Sequence, residues 1–223
     1  MGKLIVIEGL DGCGKSTQLE LLGKNLSAAG VDNKTVSFPD YNENSSALVK
    51  MYLGGEFGSN PGDVNAYAAS LFYAVDRYAS YKKHWQDYYL GGGAVISGRY
   101  VTSNAVHQTA KLPENEWDEY LSWLYSLEYG KVGIPKPDLV IFLDMPTELS
   151  KKLLEKRYGG VEEKKDIHEK DIAYQNACRK AALYNVEHAG WKVISCADGD
   201  RIRSVDEIAA DVLSAAMDAI LSK

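Results

Sequence analysis

The chain has 223 residues, of which 45% are hydrophobic, and its formal net charge is −6 at pH 7. This length suits one domain with a large buried core, and we predict a single domain over residues 1–223. The acidic balance offers no electrostatic footprint for nucleic acid or an anionic membrane. The longest apolar runs are too short to span a bilayer, no export signal is visible, and three widely spaced cysteines suit a reducing compartment. We therefore expect a cytoplasmic protein that binds neither nucleic acid nor membrane.

Strands alternate with helices along the chain. Strands are predicted at 4–8, 33–38, 94–97, 138–144 and 191–196. Helices are predicted at 15–29, 47–53, 63–89, 102–110, 114–129, 146–157, 169–189 and 204–221. This alternation predicts an α/β, doubly wound fold with about five parallel strands and helices on both faces. Ligands are expected at the carboxyl ends of the strands.

A glycine-rich loop joins the first strand to the first helix. Gly9, Gly14, Lys15 and Ser16 fit the pattern G-x-x-x-x-G-K-[ST] in the strand–helix context that this P-loop motif requires. Such a loop turns its backbone amides toward a triphosphate, and the helix N-terminus adds its own amides. Lys15 is expected to reach the β- and γ-phosphates, and the Ser16 hydroxyl to ligate Mg²⁺. The predicted nucleotide-binding residues are Gly9, Asp11, Gly12, Cys13, Gly14, Lys15, Ser16 and Thr17.

A P-loop alone leaves GTPases, ATP-driven motors and small-molecule kinases open. The chain has no N-K-x-D tetrapeptide for guanine recognition, and a basic, glycine-bearing segment lies late in the sequence. A kinase must shield its phosphates from water with a lid. We predict this lid at about 157–168, with Lys156, Arg157, Lys164 and Lys165 supplying positive charge to the transition state.

Several motifs, in the same order, resemble those of the thymidylate kinase family. They are residues 8–18 around the P-loop, Phe38-Pro39, segment 71–77, segment 99–108, Asp144-Met145-Pro146 and residues 166–169. The similarity extends from residue 4 to about 185. It implies that ATP and dTMP are converted to ADP and dTDP with Mg²⁺, in dTTP synthesis, by a homodimer. Either the aromatic stripe at 117–127 or the tyrosine-rich helix at 78–89 would supply the dimer surface.

The resemblance also implies roles for individual residues. Lys15, Arg99 and Arg157 would be catalytic, and Ser16 and Asp11 would hold the metal. Arg77 and Arg99 would hold the dTMP phosphate, since guanidinium forks match phosphate oxygens. Tyr73 takes the place of a residue that stacks on thymine, with its neighbour Phe72 as the alternative. The substrate-binding residues so implied are Asp11, Phe38, Pro39, Phe72, Tyr73, Arg77, Arg99, Ser103, Asn104, His107 and Gln108.

Three positions depart from the family pattern. Gly98 stands where the family has an aspartate that serves the metal or its water shell, a role for which Asp11 or Asp144 is a candidate substitute. Asp40 and Tyr41 stand where the family has a phosphate-binding arginine, and His107 replaces a tyrosine that would press against the sugar. These departures leave two alternatives open: a kinase for another pyrimidine or deoxypyrimidine monophosphate, and a nucleotide-binding form whose catalysis is impaired by Gly98.

Overall fold

A five-stranded parallel sheet forms the centre of the fold. The computed structural model describes residues 1–158 and 172–222, without the side chains of 155–158 and 172. The sheet order is β2-β3-β1-β4-β5. The strands are β1 (Lys3–Gly9), β2 (Asn33–Ser37), β3 (Ala94–Gly98), β4 (Leu139–Asp144) and β5 (Lys192–Ser195). The predicted sheet of five parallel strands is thereby confirmed.

The central strand β1 is buried on both faces, which explains its continuous run of aliphatic residues. Its register pairs Ile5 with Ile96 of β3 and Ile7 with Ile141 of β4. Because side chains alternate along a strand, Leu4 and Val6 enter one hydrophobic cluster, whereas Ile5 and Ile7 enter the other. The two clusters are the two halves of a sandwich in which helices cover both faces of the sheet.

Helices connect the strands and supply both outer layers. The α-helices in the described part of the chain are α1 (Lys15–Ala28), α2 (Ala47–Leu53), α3 (Ala66–Ser80), α4 (Gln86–Leu90), α5 (Val101–His107), α6 (Trp117–Tyr125), α7 (Thr147–Tyr158), α8 (Ile172–Ala189) and α9 (Val205–Leu221). None of them is both long enough and apolar enough to cross a membrane. Ser204 caps α9, and Glu207 completes the predicted capping box.

Two predicted helices are interrupted by π turns. The helix predicted at 63–89 begins at Ala66, and a π turn at Tyr81–Trp85 separates α3 from α4. The segment predicted as one helix at 114–129 contains α6, and a second π turn at Ser126–Val132 follows α6 directly. A π turn places an additional residue in one turn and so rotates the side chains that follow. Apolar periodicity marks a helical segment but not this local change of pitch.

The carboxyl end of the sheet carries smaller differences from the prediction. The loop expected at 197–200 contains a short antiparallel hairpin, β6 (Ala197–Asp198) and β7 (Arg201–Ile202).

The aromatic stripe at 117–127 packs inside the chain, where Trp117, Tyr120 and Leu124 are buried. This stripe therefore belongs to the core and is not a free dimer surface.

Candidate active site

A cavity of about 820 Å³ opens at the carboxyl ends of β1, β2 and β3. Its lining comes from the P-loop, the segment after β2, α3, the end of β3, α5 and α7. This is the edge at which a parallel sheet is expected to bind ligands. Of the predicted site residues whose side chains are described, only Gly9, Cys13 and Phe72 do not line the cavity.

The P-loop depends on glycine where its backbone approaches other atoms. A Cβ on Gly12, whose φ is +80°, would lie 2.7 Å from the Ser150 carbonyl oxygen. A Cβ on Gly9 would lie 2.5 Å from Cys13 Sγ, because that thiol packs beneath the loop. Burial raises the pKa of the Cys13 thiol, so Cys13 fills space here and is not a reactive group.

Lys15 lies at the start of α1 with its ammonium directed back across the loop. Its Nζ donates to the Leu10 carbonyl at 2.7 Å and lies 3.7 Å from Asp11 Oδ1. Ser16 and Thr17 follow it on the exposed first turn of α1 and also line the cavity. A cation, two hydroxyls and the amino end of a helix therefore face one side of the cavity, which is the chemistry of an anion site.

Arg99 is the charged centre of the cavity. In the described part of the chain it is the one residue other than glycine with a positive φ, 63°. Its Nη2 is ion-paired with Asp11 Oδ1, and its Nη1 donates to Ser103 Oγ at 3.3 Å. Burial disfavours the guanidinium charge, but the carboxylates of Asp11 and Glu8 outweigh that effect and raise the pKa of Arg99. The backbone conformation and these contacts hold a permanent cation over the end of β3.

His107 contacts Arg99 from α5. Its Nε2 lies 2.9 Å from Arg99 Nη1, and its Nδ1 lies 3.4 Å from Cys178 Sγ. Arginine is always a donor, so Nε2 must be the unprotonated acceptor and Nδ1 must carry the proton. The Tyr174 hydroxyl donates to the His107 carbonyl at 2.6 Å, which ties this residue to α8. The histidine therefore supports Arg99 as well as lining the cavity.

Glu8 is a buried carboxylate that is not among the predicted site residues. It is 1% exposed at the end of β1 and accepts hydrogen bonds from Thr102 Oγ1 at 2.7 Å and Ser103 Oγ at 2.8 Å. These bonds fasten the first turn of α5, which carries Ser103 into the cavity. An acidic residue directly after an apolar strand was the signal available for it.

Arg77 and Glu128 form a second charged pair beside the cavity. Arg77 Nε donates to Glu128 Oε2 at 2.7 Å, and Arg77 Nη2 donates to the other carboxylate oxygen. The Tyr100 carbonyl accepts from Arg77 Nη1 at 3.2 Å. Burial opposes the charge of Arg77, but Glu128 more than compensates and raises the pKa of the guanidinium. Glu128 lies in the π turn after α6, and no sequence pattern identified it.

Aromatic and amide side chains form another part of the cavity wall. Tyr73 lines it, whereas Phe72 packs outside against Tyr52 and Phe57 at centroid distances of 6.3 and 5.6 Å. Asn104 Nδ2 donates to the Ser70 carbonyl at 3.3 Å. Gln108 is buried, lines the cavity, and its Oε1 has no hydrogen-bond partner within residues 1–158 and 172–222. A buried acceptor without a partner is costly, so this part of the wall suits a ligand that donates a hydrogen bond.

The loop after β2 is fixed by a buried acid. Asp76 is 1% exposed and accepts from the Asp40 backbone N–H at 2.9 Å and from Ser45 Oγ at 2.6 Å. In this arrangement Tyr41 lines the cavity, as do Phe38 and Pro39, but Asp40 does not. The loop therefore presents aromatic and apolar groups in the region where the family has an arginine.

Gly98 lies at the end of β3 with little room for a side chain. A Cβ there would lie 2.7 Å from Leu19 Cδ2 and 3.2 Å from Ser37 Oγ. Asp144 is engaged elsewhere, because Arg179 Nη2 donates to both of its oxygens at 3.0 and 3.2 Å. Asp11 is the one carboxylate among the described residues that line the cavity. Of the two candidate substitutes for an acid at position 98, only Asp11 is in place.

The donor set suits a metal that is held mainly by phosphates. The described residues contain no group of three or more histidine, cysteine, aspartate or glutamate side chains arranged to hold an ion. The Ser16 hydroxyl and the Asp11 carboxylate both face the cavity as hard oxygen donors. Mg²⁺ commonly takes one or two protein oxygens together with phosphate oxygens and water, so these residues fit it.

The predicted lid lies largely outside the described residues. α7 extends to Tyr158, but the side chains of Lys156 and Arg157 are not described. Lys164 and Lys165, with the rest of the lid to residue 168, fall within 159–171. Their predicted contribution to the site therefore stays a prediction.

The chain is similar to known proteins along most of its length. The sequence profile of a family described as thymidylate kinase matches residues 7–207. A thymidylate kinase of Mycobacterium tuberculosis is 34% identical over 194 residues, which cover 84% of this chain and 87% of the relative. A thymidylate kinase of Caenorhabditis elegans is 32% identical over 212 residues, which cover 89% of this chain and 84% of the relative. The solved thymidylate kinase of Candida albicans shares the fold, with a TM-score of 0.71 and 22% sequence identity. The match covers 97% of this chain and 92% of that structure.

Proposed function

Because the chain belongs to the thymidylate kinase family, we propose that it transfers the γ-phosphoryl group of ATP to dTMP. The products are ADP and dTDP, and the step serves dTTP synthesis. One observation carries the proposal: a single cavity joins a P-loop with a set of arginine, amide and aromatic side chains. The first part suits a triphosphate and the second suits a nucleoside monophosphate, as a kinase requires.

The P-loop side is the proposed ATP site. Gly9 and Cys13 shape the loop from beneath, while Gly12, Gly14 and Thr17 line the cavity where the phosphates would lie. Lys15 would leave the Leu10 carbonyl for the β- and γ-phosphates, because a phosphate is the stronger partner for an ammonium. Its charge would then offset the negative charge that shifts during transfer.

Arg99 is the proposed link between the two substrates. Its guanidinium fork matches the oxygens of a phosphate, and the contacts with Asp11, Ser103 and His107 fix its position before a substrate arrives. Pre-set charge of this kind lowers the barrier because little reorganisation is needed during the reaction. Arg157 and the lid lysines are proposed to add further positive charge around the transferred phosphoryl group.

The aromatic and amide side of the cavity is the proposed dTMP site. Tyr73 is proposed to stack on the base, and Phe38, Pro39 and Arg77 to lie along the nucleotide. The lining by Tyr73 and the packing of Phe72 outside the cavity favour Tyr73 over Phe72 for this contact. Asn104, His107 and Gln108 are proposed to face the base and sugar, and the partnerless Gln108 Oε1 supports this assignment.

Mg²⁺ is the proposed metal, with Ser16 and Asp11 as its protein ligands. When bound, the ion would supply positive charge to the phosphates, which is its general role in phosphoryl transfer. Asp11 already faces Lys15 and Arg99. The same carboxylate is therefore proposed to orient both cations.

We also propose that the enzyme is cytoplasmic, as the sequence predicts, and a homodimer, as the family resemblance implies. The free state of Cys13, Cys178 and Cys196 supports a reducing compartment. For the dimer surface we propose an apolar row on α3, because Leu71, Val75 and Tyr78 are 46, 54 and 44% exposed and share one helical face.

The proposal is tested by a coupled ADP-release assay with Mg-ATP against dTMP, dUMP, UMP, dCMP and AMP. We expect saturable, dTMP-dependent release of ADP and a kcat/KM for dTMP above that of the other acceptors. A higher kcat/KM for another pyrimidine monophosphate would reassign the substrate. ATP binding without turnover of any acceptor would indicate the impaired form.

A further inference from the structure

We propose that Glu128 is the positioning residue that sets the orientation of Arg77 at the dTMP side of the cavity. The inference rests on the proposed function, since it gives Arg77 a contact with the nucleoside monophosphate. Glu128 does not line the cavity itself, so we assign its effect on the substrate to Arg77, the lining residue with which it is ion-paired.

The geometry fixes the guanidinium plane from three directions. The two Glu128 oxygens accept from Nε and Nη2, and the Tyr100 carbonyl accepts from Nη1. A guanidinium has five N–H groups, so one on each terminal nitrogen has no partner within the described residues. Arg77 lines the cavity although it is only 1% exposed. The N–H groups left over are therefore the ones available to a ligand.

The π turn after α6 brings Glu128 to this position. The amides of Gly133 and Ile134 both donate to the Glu128 carbonyl, at 3.0 and 3.2 Å, and Gly133 ends the turn with φ 77°. The Glu128 side chain is 0% exposed and lies 51 residues from Arg77 in sequence. A π turn inside a helix is a departure from regular geometry that recurs at functional sites.

Stability alone is a weak reason for such a pair. Taking both charges out of water is costly, and well-packed apolar residues often stabilise a fold equally well. The pair does provide an arginine that cannot rotate, because the carboxylate and the Tyr100 carbonyl engage three of its N–H groups. A fixed donor loses little conformational entropy when the substrate binds.

The test compares steady-state kinetics of the wild type with Glu128→Gln and Glu128→Asp. In Glu128→Gln an amide N–H faces a guanidinium N–H, so one of the paired bonds is lost and Arg77 can turn. We expect the KM for dTMP to rise about tenfold or more, the scale of a charged hydrogen bond. The KM for ATP should stay within about twofold, because Lys15 and the P-loop are untouched. Glu128→Asp keeps the charge and should recover part of the loss.

Tyr125→Phe is the matched control. It removes the 3.2 Å bond from the Tyr125 hydroxyl to Asn185 Oδ1, which joins α6 to α8 and involves neither Arg77 nor a residue that lines the cavity. We expect both KM values to match the wild type. An equal rise of the dTMP KM in Tyr125→Phe and Glu128→Gln would overturn the inference, because the loss of a structural link from α6 would then explain it.

A double-mutant cycle identifies the route of the effect. In an Arg77→Met background, Glu128→Gln should add less than about twofold to the dTMP KM. A full additional loss would overturn the inference. If Glu128→Gln does not fold, Glu128→Asp decides, and a dTMP KM equal to that of the wild type would count against a positioning role. A wild type that does not turn over dTMP would overturn the proposed function, whereas an active wild type with unchanged variants would overturn this inference alone.

Discussion

Replacing Gly98 by aspartate tests whether this chain has room for a carboxylate at the end of β3. The new Cβ would lie 2.7 Å from Leu19 Cδ2, so that methyl group must move by about 0.8 Å to reach ordinary contact. Leu19 is 8% exposed and packed in the core, but the clash is with the far end of its side chain. We therefore expect the added Cβ to cost about 1 kcal/mol, the low end of the cost of overpacking. For a chain of this length that lowers Tm by about 2–4 °C.

Activity should not improve in Gly98→Asp. Leu19 lines the cavity, so displacing it disturbs the nucleotide site, and Asp11 already provides the carboxylate there. Gly98→Ala is the matched control, because it adds the same Cβ without the acid. Thermal unfolding and ADP release at saturating substrates are measured on all three proteins. A kcat for Gly98→Asp above those of the wild type and Gly98→Ala would refute this reasoning and identify an impaired native enzyme.

Two further predictions concern regions outside the cavity. Burial lowers the pKa of Lys111 to about 8, so its folded form releases a proton before the unfolded chain does. Between about pH 8 and 10, the free energy of unfolding measured by urea titration should therefore rise for the wild type relative to Lys111→Met. A difference between the two proteins that does not change with pH would contradict this prediction. Size-exclusion chromatography with light scattering should give about twice 24.6 kDa for the wild type and the monomer mass for Val75→Glu. The exposed control Val205→Glu should stay dimeric, and equal masses for the two variants would contradict the proposed surface.

The central strands β1 and β3 were predictable because nearly all of their residues are buried. A run of aliphatic residues that is buried on both faces, as in β1, reads directly as a central parallel strand. Helix interiors were less predictable, because the π turns at Tyr81–Trp85 and Ser126–Val132 preserve an apolar pattern while changing the pitch. The hairpin of β6 and β7 has only two residues in each strand, which is too few for alternation to be visible.

The residues of the site also fall into those that local spacing predicts and those that depend on contacts distant in sequence. Local spacing was enough for the P-loop, since glycines, Lys15 and Ser16 act within one turn of the chain. The contacts of Glu8 and Glu128 could not be predicted from local sequence, because their partners Thr102 and Arg77 lie 94 and 51 residues away and only the fold brings them together. Tyr73 and Phe72 are neighbours on one helix, so which of them lines the cavity depends on how α3 is rotated against the sheet.

The most direct measurement follows the product itself. The purified chain is incubated with Mg-ATP and dTMP, and the nucleotides are separated by ion-exchange chromatography over time. Phosphoryl transfer between two substrates in one cavity predicts dTDP and ADP in equal amounts, with no ADP when dTMP is left out. ADP formed without dTDP would indicate that water is the acceptor. The absence of both products would contradict the proposed kinase.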